Sequence, residues 1–140
     1  MKLKIKKLHP DATIPTYATN GSGCFDIYSL DGGCVFSSAV FDSGIAFEIP
    51  EGHVMLVFSR SGHGFKNDIR LANAVGVIDS DYRNAVKVKL TSDNPTDVFK
   101  VAKGDRIAQA IILPYPKVEF VEGELSDTER GIGGFGSTGR

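Results

Sequence analysis

The feature that most constrains the fold of this chain is a series of short apolar runs, each followed by residues that favour turns. The turn signals are Asn20-Gly21, Asp31-Gly32-Gly33, Pro50-Glu51-Gly52, Asp93-Asn94-Pro95 and Lys103-Gly104-Asp105. Short strands with this punctuation predict an all-β sandwich or jelly roll. The predicted strands are "KLKIKKL", "FDIYSL", "CVFSSAVFDSGIAFEI", "HVMLVFS", "RLANAVGVI", "AVKVKLTS", "DVFKVAKG" and "RIAQAIILPY".

One stretch and one tail depart from the strand pattern. The stretch is "SRSGHGFKN", where Ser59 or Ser61 is suited to cap a turn or two of helix, so we expect at most one short helix. The tail begins at about Asp127; it is rich in glycine and has few apolar residues besides Ile132 and Phe135. We therefore predict one domain, residues 1–129, followed by a flexible arm, residues 130–140.

The composition limits the partners. With 41% hydrophobic residues, 24% charged residues and a net charge of -1, the chain has no basic field to attract nucleic acid or an anionic membrane. The four lysines of "MKLKIKKL" alternate with apolar residues, which favours a half-buried strand over a nucleic-acid arm. We expect neither nucleic acid nor membrane as a partner.

The cysteines and histidines give no metal or disulfide signal. Two cysteines are too few for a disulfide scaffold or a four-ligand zinc site, and the three histidines are far apart in sequence. The chain has no apolar stretch of membrane-spanning length and no signal-type apolar run near its charged start. We expect a cytoplasmic protein, in the host cytoplasm if a phage encodes it.

The run "RIAQAIILPY" is apolar on both faces after Gln109. So small a domain has too little core to cover both faces of this strand. The pattern therefore predicts burial against another subunit.

Three polar segments have a structural and a chemical interpretation. In "GVIDSDYRNAV", Asp79 and Asp81 precede Tyr82; spacing alone favours a hairpin turn, and the alternative is a carboxylate that activates water beside an aromatic wall. "SRSGHGFK" is either a capped turn or a phosphate-binding helix start. The tail is either a disordered terminus or a source of anion donors from Arg130, Ser137, Thr138 and Arg140.

Taken in order, five segments resemble the five ordered motifs of the trimeric dUTPase family. The segments are "GSGCFDIYS", "SRSGHGFK", "GVIDSDYRNAV", "KGDRIAQAIILPY" and "RGIGGFGSTG". The resemblance implies a distorted jelly-roll (β-clip) subunit, a homotrimer with three active sites at the subunit junctions, and Mg²⁺ as cofactor. It implies a dUTP diphosphatase, which hydrolyses dUTP to dUMP and pyrophosphate, limits dUTP and supplies dUMP for dTTP synthesis.

The third motif carries the chemistry that the resemblance implies. Asp79 is expected to orient and activate the water that attacks the α-phosphorus. Tyr82 is expected to stack against the deoxyribose and exclude a 2′-hydroxyl. Asn73 and backbone groups near Val77 are expected to bind the edge of uracil.

The other motifs supply phosphate, metal and lid contacts by the same resemblance. The expected phosphate ligands are Arg60, Ser61, Gly62 and Gln109, and Asp26 is expected to hold Mg²⁺ through water. Phe135 is expected to cover the uracil when nucleotide is bound. The remaining tail contacts with the phosphates are expected from Arg130, Gly136, Ser137 and Thr138.

The chain departs from the family pattern at Gly23-Cys24, Asn84-Ala85 and His63, where the family commonly has Ala-Gly, Gly-Glu and an apolar residue. None of these positions carries an expected chemical role. Two alternatives remain open at this point: a dCTP deaminase of the same fold, and a catalytically idle nucleotide-binding trimer.

Overall fold

A computed structural model of the chain describes residues 1–94, 96–137 and 139. The described part contains twelve strands and one helix, which confirms the all-β prediction and the short helix. The elements are β1 (Lys4–Lys7), β2 (Thr16–Tyr17), β3 (Phe25–Tyr28), β4 (Gly33–Val35), β5 (Ser38–Asp42), β6 (Ile45–Glu48), β7 (His53–Phe58), α1 (Ser61–Asn67), β8 (Ile69–Leu71), β9 (Gly76–Ile78), β10 (Lys87–Ser92), β11 (Phe99–Val101) and β12 (Arg106–Pro114).

The strands form a distorted jelly roll of small antiparallel sheets. The largest sheet has the order β2-β3-β12-β7-β9, and a second has the order β5-β10-β8. Two further pairs are β1 with β6 and β11 with β4. Strand β12 lies at the centre of the largest sheet, with Gln109 opposite Asp26 of β3 on one side and opposite Phe58 of β7 on the other. This register brings three separate segments of the chain to one place.

The core is apolar: β3 and β6 are buried on both faces, whereas β10 contributes one face. In β10, Val88 and Leu90 are buried while Lys87 and Lys89 are exposed, as period-two alternation requires. Pairing confirms the strand interpretation of the lysine-rich start. Lys4 of β1 pairs with Glu48 of β6, and Lys4 Nζ lies 3.1 Å from Glu48 Oε2.

Two of the predicted strands are divided in the structure. "CVFSSAVFDSGIAFEI" forms β4, β5 and β6. "RLANAVGVI" contributes β8 to one sheet and β9 to another, so a single strand there was wrong. The break lies at Ala74, which has φ 60°, where the N–H of Val75 donates to the carbonyl of Asn73 at 2.6 Å. Apolar residues on both sides of this turn conceal it from a periodicity argument.

The predicted capping of the helix was also wrong. The N-cap of α1 is Arg60, and its side chain makes no capping hydrogen bond. Ser59 instead accepts a hydrogen bond at Oγ from the backbone N–H of Leu71, at 2.8 Å. The helix ends at Asn67, and its C-cap Asp68 is left-handed with a φ of 53°.

The described residues beyond Pro114 form turns and irregular backbone without a further strand or helix. The predicted boundary at residue 129 stays a prediction. Within the described part of the chain, every helix falls short of the length and apolarity that crossing a membrane requires.

Candidate functional site

Four of the predicted site residues line one cavity. This cavity, here the arginine cavity, has a volume of about 360 Å³. Asp26 lies on β3, Gln109 lies on β12, and Arg60 and Ser61 follow the end of β7. The full lining is Ala18, Ser22, Gly23, Cys24, Asp26, Arg60, Ser61, Arg106 and Gln109. The pairing of β12 with both β3 and β7 explains why segments so far apart in sequence meet here.

The charges in the arginine cavity favour an anion. Asp26 is buried and forms two ion pairs: Oδ1 lies 3.3 Å from Arg60 Nε, and Oδ2 lies 3.3 Å from Arg106 Nη1. Two guanidinium groups face one carboxylate, which leaves a local excess of one positive charge. Guanidinium groups bind phosphate oxygens with charge-assisted hydrogen bonds. The cavity is therefore suited to a phosphate group.

Ser59 joins this cavity to two other parts of the fold. Its backbone carbonyl accepts a hydrogen bond from Gln109 Nε2 at 2.9 Å, and its hydroxyl accepts the hydrogen bond from Leu71. Gln109 is thereby fixed against the end of β7. Gly62 has open space where a Cβ would project.

The donor set fits Mg²⁺ only as an outer-sphere partner. The described residues contain no cluster of three or more His, Cys, Asp or Glu side chains that is able to hold a metal ion. Asp26 offers one carboxylate, and both of its oxygens already face a guanidinium. A carboxylate has about four lone-pair sites, so a metal-bound water is an acceptable further donor.

Asn73 and Val77 lie at a separate and smaller cavity of about 100 Å³. It is formed by the start of β9 and the turn before it, over Val57 and Leu71. Asn73 Nδ2 lies 3.4 Å from the carbonyl oxygen of Val75, so its amide is held by the turn. A Cβ at Gly76 would come within 3.2 Å of the Val57 side chain, which makes glycine favourable at the wall of this cavity.

Asp79 and Tyr82 belong to one tight turn after β9. The N–H of Tyr82 donates to the carbonyl of Asp79 at 3.2 Å, and the Tyr82 hydroxyl donates to the carbonyl of Ala85 at 3.1 Å. The side chains of Asp79 and Tyr82 are exposed, and Asp79 lines a third hollow together with Asp81 and Arg83. The tight turn is thus confirmed, but the hairpin was wrong, because β9 and β10 on either side of it lie in different sheets. The exposed Asp79 carboxylate beside the fixed Tyr82 ring is also compatible with the alternative interpretation, in which a carboxylate activates water.

The tail lies apart from all three cavities. Phe135 has a relative exposure of 114% and φ of 50°, and Arg130, Gly136 and Ser137 are exposed as well. Thr138 lies outside the described residues. Within one chain, the predicted site residues are therefore divided among the arginine cavity, the Asn73 cavity, the Asp79 turn and the tail.

Sequence reasoning missed two residues at the site. Arg106 was read only as part of its motif, although it forms the second ion pair of Asp26. Ser59 was expected to cap the helix, but it connects β7, β8 and β12. The sequence shows that Ser59 has a hydroxyl able to bond to the backbone, but it does not show that the partner is the distant Leu71.

The departures from the motif pattern are accommodated locally. Cys24 is half-buried and lines the arginine cavity. Asn84 accepts a hydrogen bond at Oδ1 from the N–H of Ala85 at 2.8 Å, which stabilises the turn after Tyr82.

Comparison with known proteins gives one consistent result. A family model described as dUTPase matches residues 10–139. The deoxyuridine 5'-triphosphate nucleotidohydrolase of Nautilia profundicola is 46% identical to this chain, and the match covers all of both. The protein of the same name from Helicobacter pylori strain 26695 is 42% identical, over 99% of this chain and 97% of its own length.

Solved structures agree with the sequence comparison. The dUTPase of Staphylococcus bacteriophage 80alpha with dUpNHpp superposes with a TM-score of 0.87 at 28% identity, covering 99% of each chain. A single-residue mutant of the dUTPase from phage phi11 of S. aureus superposes with a TM-score of 0.81 at 22% identity, over 89% of this chain and 98% of its own. That second structure is described as revealing the coordination of a structural Mg(II) ion.

Proposed function

This chain belongs to the dUTPase family and hydrolyses dUTP to dUMP and pyrophosphate, and we propose that it does so with Mg²⁺ in a site built by three copies of the chain. The observation that supports a shared site is the division of the site residues. The arginine cavity and the Asp79 turn line different hollows of one chain, and the tail lies away from both. A neighbouring copy is the simplest means of joining them.

Exposed apolar surface supports the trimer. An apolar groove of about 560 Å³ includes Ile111 and Ile112 of β12. The segment after β12 carries four large apolar side chains that are well exposed in one chain: Val118, Phe120, Val121 and Leu125. A folded protein rarely leaves so many apolar side chains in water unless they contact a partner. These residues are ones that another subunit would cover, in addition to the apolar run of β12 for which the sequence predicts such burial.

In the proposed mechanism, Asp79 is the general base. Its carboxylate accepts a proton from a water molecule as that water attacks the α-phosphorus in line, and pyrophosphate leaves on the opposite side. The bond that forms is from the water oxygen to phosphorus, and the bond that breaks joins the α-phosphorus to its bridging oxygen.

Two other residues of this segment select the nucleoside. The Tyr82 ring, held by its bond to Ala85, stacks against the deoxyribose and leaves no space for a 2′-hydroxyl. Asn73, with backbone groups near Val77, binds the uracil edge through an amide that both donates and accepts. Thymine is rejected by its methyl group, and cytosine by its exchanged donor and acceptor.

The arginine cavity binds the triphosphate. Arg60, Ser61, the N–H of Gly62 and Gln109 contact phosphate oxygens, and Asp26 contacts water on the metal. Mg²⁺, when bound, offsets the charge that develops on the leaving pyrophosphate.

The tail of one subunit closes the site. Phe135 lies over the uracil ring, Arg130 contacts the γ-phosphate, and Gly136, Ser137 and Thr138 complete the phosphate contacts. Closure excludes all water except the attacking molecule. This gives the exposed Phe135 a ligand to pack on.

A pyrophosphate-release assay with dUTP, dCTP, dTTP and UTP in the presence of Mg²⁺ tests the proposal. Pyrophosphate from dUTP alone is the expected result. Release of ammonia from dCTP without pyrophosphate from dUTP would identify a deaminase instead, and binding without turnover would identify an idle trimer. Removal of Mg²⁺ by a chelator is expected to lower turnover. The cytoplasm is the proposed location of this reaction.

A further inference from the structure

His63 contacts Arg60 at a different guanidinium nitrogen from the one that pairs with Asp26. The His63 ring lies in the first turn of α1, with Nε2 3.4 Å from Arg60 Nη1. The edge of the ring packs against Phe99 of β11, with centroids 5.1 Å apart and an interplanar angle of 65°. The Arg60 Nη1 group also donates to the backbone carbonyl of Arg106 at 3.3 Å. Arg60 is therefore held at Nη1 by His63 and Arg106 and at Nε by Asp26.

The chemistry of the contact fixes the state of the imidazole. A guanidinium group donates hydrogen bonds and cannot accept them, so Nε2 must be the acceptor. Nδ1 then carries the proton of a neutral ring. Nδ1 is buried and has no hydrogen-bond partner among the described residues, so protonating Nε2 gains no compensating contact elsewhere in the chain. A protonated ring would direct an N–H at another N–H and place two cations side by side.

We propose that neutral His63 is a positioning residue for Arg60, which it holds against Asp26 in the geometry that receives the triphosphate, and that protonation of His63 releases Arg60 and weakens dUTP binding. The proposal rests on the proposed function, because it assumes that Arg60 contacts phosphate. It gives a role to one of the three departures from the family pattern. An apolar residue at this position fills the space beside Phe99 but provides no acceptor for Arg60.

The charges around the ring favour its neutral form at neutral pH. Burial lowers the pKa of His63 below its ordinary value of 6.5, and the positive charge of Arg60 lowers it further. Arg106 acts in the same direction, and Asp105 opposes both. β11 contributes the uncharged Phe99 ring. The contact is consequently intact at neutral pH and is lost as pH falls below 6.5 through the lowered pKa.

The contact itself can be tested without substrate. In the full chain labelled with ¹⁵N-histidine, His63 resonances are assigned by their loss in His63→Gln and followed by NMR from about pH 8 to about pH 5. We expect the Nδ1–H tautomer, a pKa below that of a free histidine, and a rise of that pKa in Arg60→Gln. An Nε2–H tautomer, or a pKa that is the same with and without Arg60, would overturn the proposal.

Steady-state kinetics test whether loss of the His63–Arg60 contact weakens the binding of dUTP. Gln at position 63 keeps an acceptor but does not titrate, whereas Leu fills the space and accepts nothing. At about pH 8, we expect His63→Gln to have the KM of the unmodified chain and His63→Leu to raise KM by roughly threefold to tenfold, as for one lost hydrogen bond. On acidification, KM should rise in the unmodified chain and stay level in both variants, with little change in kcat at a given pH.

His53→Gln is the matched control, because His53 lies on β7 outside the site and contacts the carbonyl of Glu51. It should leave KM and its pH dependence unchanged. A KM that falls on acidification, an unchanged KM in His63→Leu, or a rise that persists in His63→Gln would each contradict the proposal. Circular dichroism verifies that each variant is folded. If the unmodified chain released no pyrophosphate from dUTP, the proposed function would be wrong, while the NMR titration would still decide the His63–Arg60 contact.

Discussion

The hydroxyl of Ser59 accepts a hydrogen bond from the backbone N–H of Leu71 at 2.8 Å. This bond joins the end of β7, where the arginine cavity begins, to β8, which leads into the Asn73 turn. The carbonyl of the same serine holds Gln109 of β12. One small residue therefore sets the relative positions of three segments with proposed binding roles.

Ser59→Ala is expected to destabilise the fold. Leu71 is 2% exposed, so its N–H would be left without an acceptor and without water, at a cost of about 1–3 kcal/mol. Urea unfolding at a fixed protein concentration measures the loss in the free energy of unfolding. The control is Ser61→Ala, which removes an exposed hydroxyl two residues away and should change that free energy by less than about 0.5 kcal/mol. Equal losses in the two variants would show that the Ser59–Leu71 bond contributes nothing.

Asp79→Asn is expected to lower kcat by about 10²–10⁴-fold, the usual contribution of a general base, because an amide cannot accept the proton from water. Binding of the dUTP analogue dUpNHpp, measured by calorimetry, should survive since the side chains have similar size. Asp81→Asn makes the same change in the same turn and should retain turnover. If Asp79→Asn kept full activity, the assignment of the base would be wrong.

The Tyr82 ring is expected to discriminate dUTP from UTP, and the Tyr82 hydroxyl is expected to hold the ring in place. Tyr82→Ala should raise kcat/KM for UTP relative to dUTP by roughly tenfold to a hundredfold, because the wall that excludes the 2′-hydroxyl is gone. Tyr82→Phe should keep the discrimination and lose about 0.5–1.5 kcal/mol of stability with the bond to Ala85. Competition assays with both nucleotides measure the ratio. An unchanged ratio in Tyr82→Ala would assign the discrimination to another residue.

Most elements of the fold were predictable because each is determined by residues that are close together in the sequence. Alternation in β10, punctuation by glycine and proline, and the weak helix signal at residues 59–67 each predict one element, and the structure confirms them. The split between β8 and β9 was not predictable from periodicity, since Ala74 adopts a left-handed conformation that its identity does not suggest. The sheet partners of each strand depend on contacts distant in sequence.

The site was predictable as a set of segments but not as a geometry. The resemblance to ordered motifs selected Asp26, Arg60 and Gln109, which the structure places in one cavity. The ion pair from Arg106, the bridging role of Ser59 and the contact of His63 with Arg60 each depend on side chains that meet only after folding. The spacing of motifs along the sequence does not indicate which side chains contact one another in the fold.

Phe135→Ala is expected to lower kcat/KM for dUTP by roughly tenfold to a hundredfold, the range for loss of stacking between an aromatic side chain and a base. The stability of the ligand-free protein should not change, because Phe135 is fully exposed. Ile132→Ala is the control, since Ile132 is equally exposed in the same tail and has no proposed contact. Truncation before Arg130 should have the larger effect on catalysis and leave the oligomer intact. An oligomer that dissociated on truncation would contradict the lid hypothesis.

Phe120→Glu is expected to dissociate the proposed trimer and to abolish dUTP hydrolysis together. Phe120 is 93% exposed in one chain and lies in the irregular segment after β12, so its replacement removes no contact from the core of the subunit. If a neighbouring subunit covers it, a buried carboxylate without a partner charge costs several kcal/mol at each of the three equivalent contacts. Light scattering after gel filtration should then give the mass of a single 15.0 kDa chain, with circular dichroism still typical of β-sheet.

Phe36→Glu is the matched control, because Phe36 is 62% exposed in the turn between β4 and β5, on sheets that do not include β12. Persistence of the trimer in Phe120→Glu would remove this segment from the subunit interface, and a chain that is monomeric and active without any substitution would overturn the shared site.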